Sequence, residues 1–168
     1  MAWASPLYTK GAVDRAGAAF IDPTTSAEDR ELALVVINNW RSCHGFPLNT
    51  FQMNLRKRAG KITADALIAQ RTKRLSSIEA KLRNYPKMPL STMQDIGGCR
   101  AVLPSVEHVY SVSDLFLETR TKHTFVKVDD YLAKPKTSGY RGVHLVYRYH
   151  SDRKQTYNSL KIELQIRS

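Results

Sequence analysis

Apolar and polar positions follow two different periods in the two halves of this chain. Up to about residue 86 the apolar residues recur every three or four positions, which is the helical period. Val13 to Phe20 reads as a short helix. Ser26 with Asp29 three residues later is a capping-box-like start, after which Leu32, Val35, Val36 and Trp40 recur at helical spacing until Gly45 and Pro47 interrupt the pattern. Beyond Pro47, Asn49 or Thr50 caps another helix that carries Phe51 and Leu55 and ends near Gly60. A longer helix is predicted from about Thr63 to Tyr85, closed by Pro86 and Pro89.

The second half shortens its period. CRAVL from Cys99 reads as a short buried strand, and Val106, Val109, Tyr110, Leu115 and Phe116 fit a helix. HTFVKV, VHLVYRYH and LKIELQIR follow as strands, the last two forming a hairpin around the polar turn SDRKQTYN. Strands mixed with flanking helices predict an α+β (mixed α/β) fold rather than a bundle. There is no internal repeat, low-complexity tract or interdomain linker in the sequence.

Composition narrows the class of partner. The chain has 168 residues, enough for a domain with a real core, with 42% apolar and 24% charged residues. Twenty-six Lys and Arg against 15 Asp and Glu give a formal charge of +11, which attracts polyanions such as nucleotides and nucleic acid. Cys43 and Cys99 lie far apart without metal-ligand spacing, so neither a disulfide framework nor a structural zinc site is expected. The N-terminus lacks the signal-peptide pattern and no apolar run is long enough to span a membrane, so a soluble cytoplasmic protein is expected.

Four stretches carry candidate chemistry. On the predicted helix RTKRLSSIEAKL, Ile68, Leu75, Ile78 and Leu82 share a face while Arg71, Arg74 and Lys81 form a stripe along its edge. That stripe either binds a polyphosphate or covers the core edge with its stems. Asp95 precedes Gly97, Gly98 and Arg100 at the start of a strand, as a Mg²⁺ ligand or as a turn cap. In KIELQIR, Ile162, Leu164 and Ile166 take one face, so Glu163, Gln165 and Arg167 take the other, facing water or a polar cleft. Between Lys127 and His150, Pro135 and Gly139 shape a loop that crowds Lys134, Lys136 and Arg141 together, which suits an anionic ligand. Tyr140 beside them either stacks on a base or packs in the loop, and His144 either binds or is a hydrogen-bonded sheet residue. His44, His108, His123 and His150 show no ligand spacing and read as structural.

Taken in order, Arg71-x-Lys73, Ser77-Ile78-x-x-Lys81, Asp95 with Arg100, DYLAKPKTSGYRGVH from Asp130 to His144, and ELQIR from Glu163 resemble the RelA/SpoT synthetase family. The resemblance implies a nucleotidyltransferase-like mixed sheet flanked by helices, and Mg²⁺-dependent transfer of pyrophosphate from ATP to a 3′-hydroxyl. It implies that Arg71, Lys73, Arg74, Ser77, Lys81 and Arg100 bind ATP, and that Asp95 and Glu163 are the catalytic, metal-binding pair. It gives Lys134, Lys136, Tyr140, Arg141, His144, Gln165 and Arg167 to the acceptor. Asp129 stands where the family often has Lys, and Gly142-Val143 where it often has Ser-Leu. The family's HD-type hydrolase motif does not appear, so alarmone hydrolysis is not expected. Residues 1–60 read as a helical segment packed on a synthetase core of 61–168. That core is expected to be truncated, since relatives continue into helices after this strand.

NWRSCHGFPLNTFQMNLR, from Asn39, is similar to a segment of the toxic small alarmone synthetases of toxin–antitoxin and phage-defence systems. That likeness, with the basic charge, favours the 3′ CCA end of tRNA as acceptor, with Arg56, Lys57 and Arg58 as a contact patch and an antitoxin protein or fused antitoxin domain as partner. GDP or GTP as acceptor, giving (p)ppGpp, is the alternative. A non-catalytic nucleotide- or RNA-binding module is a third reading.

Overall fold

The computed structural model describes residues 2–168. Helix α1 is Lys10–Ile21, α2 is Ala27–Cys43 and α3 is Gly45–Ile62. Thr9 caps α1, and Ser26 caps α2 by accepting from the Asp29 N–H (3.1 Å) while its hydroxyl donates to the Asp29 carboxylate (2.7 Å), the start that the sequence predicts. Two expectations shift. α3 begins at Gly45, before Pro47, because Pro is tolerated in a first turn whose N–H groups have no helical partner, and it runs through Gly60 to Ile62. The buried face of α2 is Ala33, Ile37, Trp40 and Cys43, whereas Leu32 and Val35 are 61% and 57% exposed. Small Ala33 and Cys43 carry little weight in a hydropathy pattern, yet they turn this helix toward its neighbours.

The long helix expected from Thr63 to Tyr85 is instead strand β1, Leu67–Thr72, followed by helix α4, Leu75–Asn84. LIAQRT is ambiguous by period, and all six residues pair antiparallel with strand β2, Gly97–Val102, so tertiary pairing overrides the helical pattern. Arg71 therefore projects from a strand, and Arg74 occupies the N-cap of α4. Helix α5 (Val106–Glu118) and strands β3 (Thr124–Asp130), β4 (Val143–Arg148) and β5 (Lys161–Arg167) complete the fold.

The five strands form one mixed sheet in the order β1-β2-β5-β4-β3. β4 and β5 are the expected antiparallel hairpin, while β2 and β5 run parallel with Gly98 opposite Glu163 and Arg100 opposite Gln165. Strand alternation sorts the side chains into two faces. Cys99, Ala101, Leu145, Tyr147, Ile162, Leu164 and Ile166 are buried on one face beneath α3 and α5. There the Cys99 thiol donates to the Leu48 carbonyl (3.6 Å) and the Tyr147 hydroxyl to the Phe116 carbonyl (3.0 Å). The opposite face carries Arg71, Arg100, His144, Glu163, Gln165 and Arg167. The core is continuous from Val13 in α1 to Ile166 in β5. Among the described residues no helix is long and apolar enough to cross a membrane.

Candidate active site

The polar face holds two carboxylates, each clamped by a different set of donors. Asp95 follows a 3-10 turn, Leu90–Thr92, and lies just before β2. The connection from β1 to α4 is stitched beside it by the Lys73 N–H, which donates to the Ile96 carbonyl at 2.8 Å. From that position Lys73 Nζ reaches Asp95 Oδ2 at 2.7 Å, and Lys81 Nζ, one face of α4 away, reaches Oδ1 at 2.8 Å. These side chains are largely enclosed, with exposures of 12% for Lys73, 21% for Asp95 and 32% for Lys81. Burial pushes the Asp95 carboxyl up, but the two ammonium donors outweigh it and hold the pKa below the usual carboxylate value.

Glu163 is held by side chains of the sheet itself. His144 Nδ1 lies 3.0 Å from Oε1, and the Gln165 amide donates to Oε2 at 2.7 Å. Arg100 donates to the Gln165 carbonyl oxygen from Nε (3.2 Å) and Nη2 (2.9 Å), which fixes the amide so that its NH₂ must face Glu163. Burial raises the Glu163 pKa, and the hydrogen bond and charge of His144 with the Gln165 bond more than reverse that, leaving it below the ordinary value. An ionised carboxylate only accepts, so His144 Nδ1 donates to Glu163, while Nε2 on the other side of the ring lies 2.7 Å from the Tyr140 hydroxyl. Tyr140, His144 and Glu163 thus form one chain.

The loop before β4 presents that chain. Gly139 and Gly142 take φ of 78° and 152°, and a Cβ on Gly142 would meet the Ile166 carbonyl oxygen at 2.9 Å. Asp130 accepts from the N–H groups of Leu132 and Ala133, starting the turn. Lys136 Nζ sits 4.1 Å from the centre of the Tyr131 ring and 5.4 Å from that of Tyr140, a cation lodged between two aromatic rings. Asp129 pairs with Lys127 at 2.6 Å.

Between the two carboxylates lies a pocket lined by Arg71, Asp95, Gly98, Arg100, Glu163 and Gln165. Gly98 has no side chain to fill its floor. The structure brings together Arg71, Lys73, Lys81, Asp95, Arg100, Tyr140, His144, Glu163 and Gln165. Ser77 is partly buried in the first turn of α4, and Arg74 is exposed at its N-cap. Lys134 and Arg141 are exposed on the loop, and the buried Arg167 Nε has no hydrogen-bond partner among the described residues. Arg56, Lys57 and Arg58 stand apart. They lie on α3, against the other face of the sheet, and the Arg58 guanidinium stacks 4.4 Å over the Phe116 ring. Sequence reasoning missed Arg41, whose Nε donates to the Lys73 carbonyl at 2.8 Å and anchors the lysine's backbone. No spacing signals that contact, because it joins segments 32 residues apart. Tyr131 also went unassigned, although it is the Tyr of the DYLAKPK stretch.

A sheet face with paired carboxylates, cations and an aromatic loop is chemically suited to the phosphates and base of a nucleotide. A family model described as the region found in RelA / SpoT proteins matches residues 70–168, more than half of the chain, and the chain belongs to that family. GTP pyrophosphokinase YjbM of Bacillus subtilis is 34% identical over 103 residues, which make up 60% of this chain and 48% of YjbM, so the chain spans about half of that relative. The crystal structure of small alarmone synthetase 1 from Bacillus subtilis bound to its product pppGpp superposes with a TM-score of 0.61 at 30% identity, covering 72% of this chain and 66% of that one. The same synthetase bound to AMPCPP gives a TM-score of 0.55 at 25% identity, covering 72% and 64%. The mixed sheet with flanking helices that the resemblance implies is the fold of these synthetases.

Proposed function

We propose that this chain is the synthetase domain of a guanosine-nucleotide pyrophosphokinase. It transfers the β,γ-pyrophosphate of ATP to the 3′-hydroxyl of GDP or GTP. One observation carries the reading: two carboxylates open into one pocket, one bonded to two lysines and the other to a His–Tyr chain ending in the aromatic loop. The names of the relatives favour this acceptor over the tRNA end that the basic charge and the Asn39–Arg56 segment suggest. The placement of Arg56, Lys57 and Arg58 on the far side of the sheet points the same way. Nothing in these relatives supports a toxin role or an antitoxin partner.

Asp95 and Glu163 suit Mg²⁺, an oxygen-seeking ion bound through one or two carboxylates plus substrate phosphates. They are the only two acids lining the pocket, and no cluster of three His, Cys, Asp or Glu able to hold a metal occurs among the described residues. Mg²⁺ there would supply charge neutralisation on the transferring phosphates.

The chain's own residues do the rest. Lys73 and Lys81 turn from Asp95 toward the donor phosphates, and Arg71 and Arg100 flank the pocket that takes the nucleoside. Tyr140, with Lys136 and Tyr131 behind it, offers a stacking surface for the acceptor base. The 3′-oxygen forms a bond to the β-phosphorus as the bond from that phosphorus to the oxygen bridging it to the α-phosphorus breaks, releasing AMP. Glu163 takes the hydroxyl proton. Its lowered basicity makes that transfer late, when bond formation has already acidified the attacking oxygen. His144, donating to Oε1, holds the carboxylate in place.

The test is to incubate the protein with ATP, Mg²⁺ and GDP or GTP and to resolve the products. One AMP per 3′-pyrophosphorylated guanosine nucleotide is expected. AMP-free reactions, or ATP hydrolysis without an acceptor product, would refute the assignment.

A further inference from the structure

Three cations outside the residues assigned above converge at one end of the same sheet face. Arg148 on β4 lies directly opposite Lys161 on β5. Both fall, by strand alternation, on the face that carries Glu163. Like charges directly opposite on antiparallel strands are destabilising. Lys10, the first residue of α1, is brought to the same end because that helix packs on the 3-10 turn Leu90–Thr92, where the Ser91 N–H donates to Asp14 of α1 at 2.7 Å. A cation in the first turn of a helix is itself misplaced, since the helix dipole favours an anion there. None of the three forms an ion pair among the described residues. Lys161 is partly buried and donates to the Thr92 carbonyl at 3.1 Å, which ties it to the turn leading into Asp95.

The register says which substrate this cluster faces. β2 and β5 are parallel, with Gly97 opposite Ile162, so Asp95 and Lys161 stand at the same end of the sheet. Tyr140 leads into β4 at the other end, where His144 faces Gln165. Glu163 stands between, two residues or about 6.8 Å along β5 from Lys161. The cluster therefore lies beyond the catalytic carboxylates on the side of the donor lysines, away from the aromatic loop.

Building on the pyrophosphokinase reading, we propose that Lys10, Arg148 and Lys161 form a phosphate subsite for the terminal phosphate of the ATP donor. It holds the far end of the pyrophosphate that is transferred, while Lys73 and Lys81 hold the near end. A dianionic terminal phosphate relieves the mutual repulsion of the three cations.

Equilibrium binding of ATP, AMP and GTP to the full chain tests this without relying on turnover. Arg148→Ala combined with Lys161→Met should weaken ATP about tenfold and leave AMP unchanged, the loss expected of charge-assisted phosphate contacts. Lys10→Ala, which breaks no hydrogen bond, should weaken ATP about two- to threefold on its own. Unchanged ATP affinity, an equal loss for AMP, or a loss confined to GTP would overturn the proposal. If the parent transfers no pyrophosphate while the variants still lose affinity for ATP alone, the transferase reading fails and the phosphate subsite stands.

Discussion

Replacing Glu163 by Gln separates the chemistry of this site from its binding. The amide keeps the shape of the carboxylate and still accepts from His144 Nδ1 at the Oε1 position, now 3.0 Å away. It cannot accept from Gln165, because an NH₂ would then face an NH₂ across 2.7 Å. Gln165 cannot turn over to relieve this, since Arg100 holds its carbonyl oxygen from two nitrogens. One hydrogen bond to a charged group is lost, worth roughly 1.5–3 kcal/mol. In a chain of this size each kcal/mol shifts Tm by roughly 2–4 °C, so melting should fall by about 3–12 °C. Loss of the general base should lower kcat by about 10²–10⁴-fold. The acceptor KM should stay within about threefold, because Tyr140 and Lys136 are untouched. Steady-state transfer to GDP with a parallel thermal melt measures all three quantities. Turnover near the parent rate, or a rise in KM that matches the fall in kcat, would refute the role given to Glu163.

Two further outcomes follow from other parts of the molecule. Tyr140→Phe keeps the ring and loses only the hydrogen bond to His144, so acceptor KM should change by less than about threefold. Tyr140→Ala removes the stacking surface, worth roughly 1–3 kcal/mol, and should raise KM about 5- to 150-fold in the same steady-state assay. His44 is fully buried beneath the sheet with Nδ1 on the Trp40 carbonyl (2.7 Å), and burial depresses its pKa from 6.5 to about 4. A folded-state pKa below the unfolded one means that the unfolded chain takes up a proton first as pH falls. Its stabilising share is full above pH 6.5 and drains away down to about pH 4, with about 2 kcal/mol gone by pH 5 and about 3 kcal/mol in all. Urea melts at pH 7 and pH 5 on the parent and His44→Asn should show that loss in the parent and a flatter dependence in the variant. Equal pH dependence in both would contradict it.

The parts of the fold that were legible in the sequence are those fixed locally. The Ser26 cap of α2 depends on a residue three positions away, and the Glu163-Gln165-Arg167 face depends only on alternation within one strand. The β4–β5 hairpin was readable because both strands flank one polar turn. β1 was not, since LIAQRT becomes a strand only by pairing with β2, about 30 residues later in the chain. The exposed face of α2 was misjudged for a related reason: which side of an amphipathic helix is buried depends on the neighbour that covers it. The candidate site shows the same division. Arg71, Asp95, Arg100 and Glu163 in the pocket carry types suited to phosphate chemistry, and their order along the chain pointed to them. That Lys73 and Lys81 both close on Asp95, that Arg100 orients Gln165, and that Arg41 holds Lys73 are long-range contacts with no sequence period to announce them.

The acceptor is the central claim, and a competition tests it most directly. The protein would be given γ-labelled ATP and Mg²⁺ with GTP and deacylated tRNA together in one reaction, and the label then located. Label is expected on the guanosine nucleotide and is abolished in Asp95→Asn and Glu163→Gln. Label carried by the tRNA and removed when its 3′-terminal ribose is oxidised would contradict it, and would make the RNA end the substrate of this pocket.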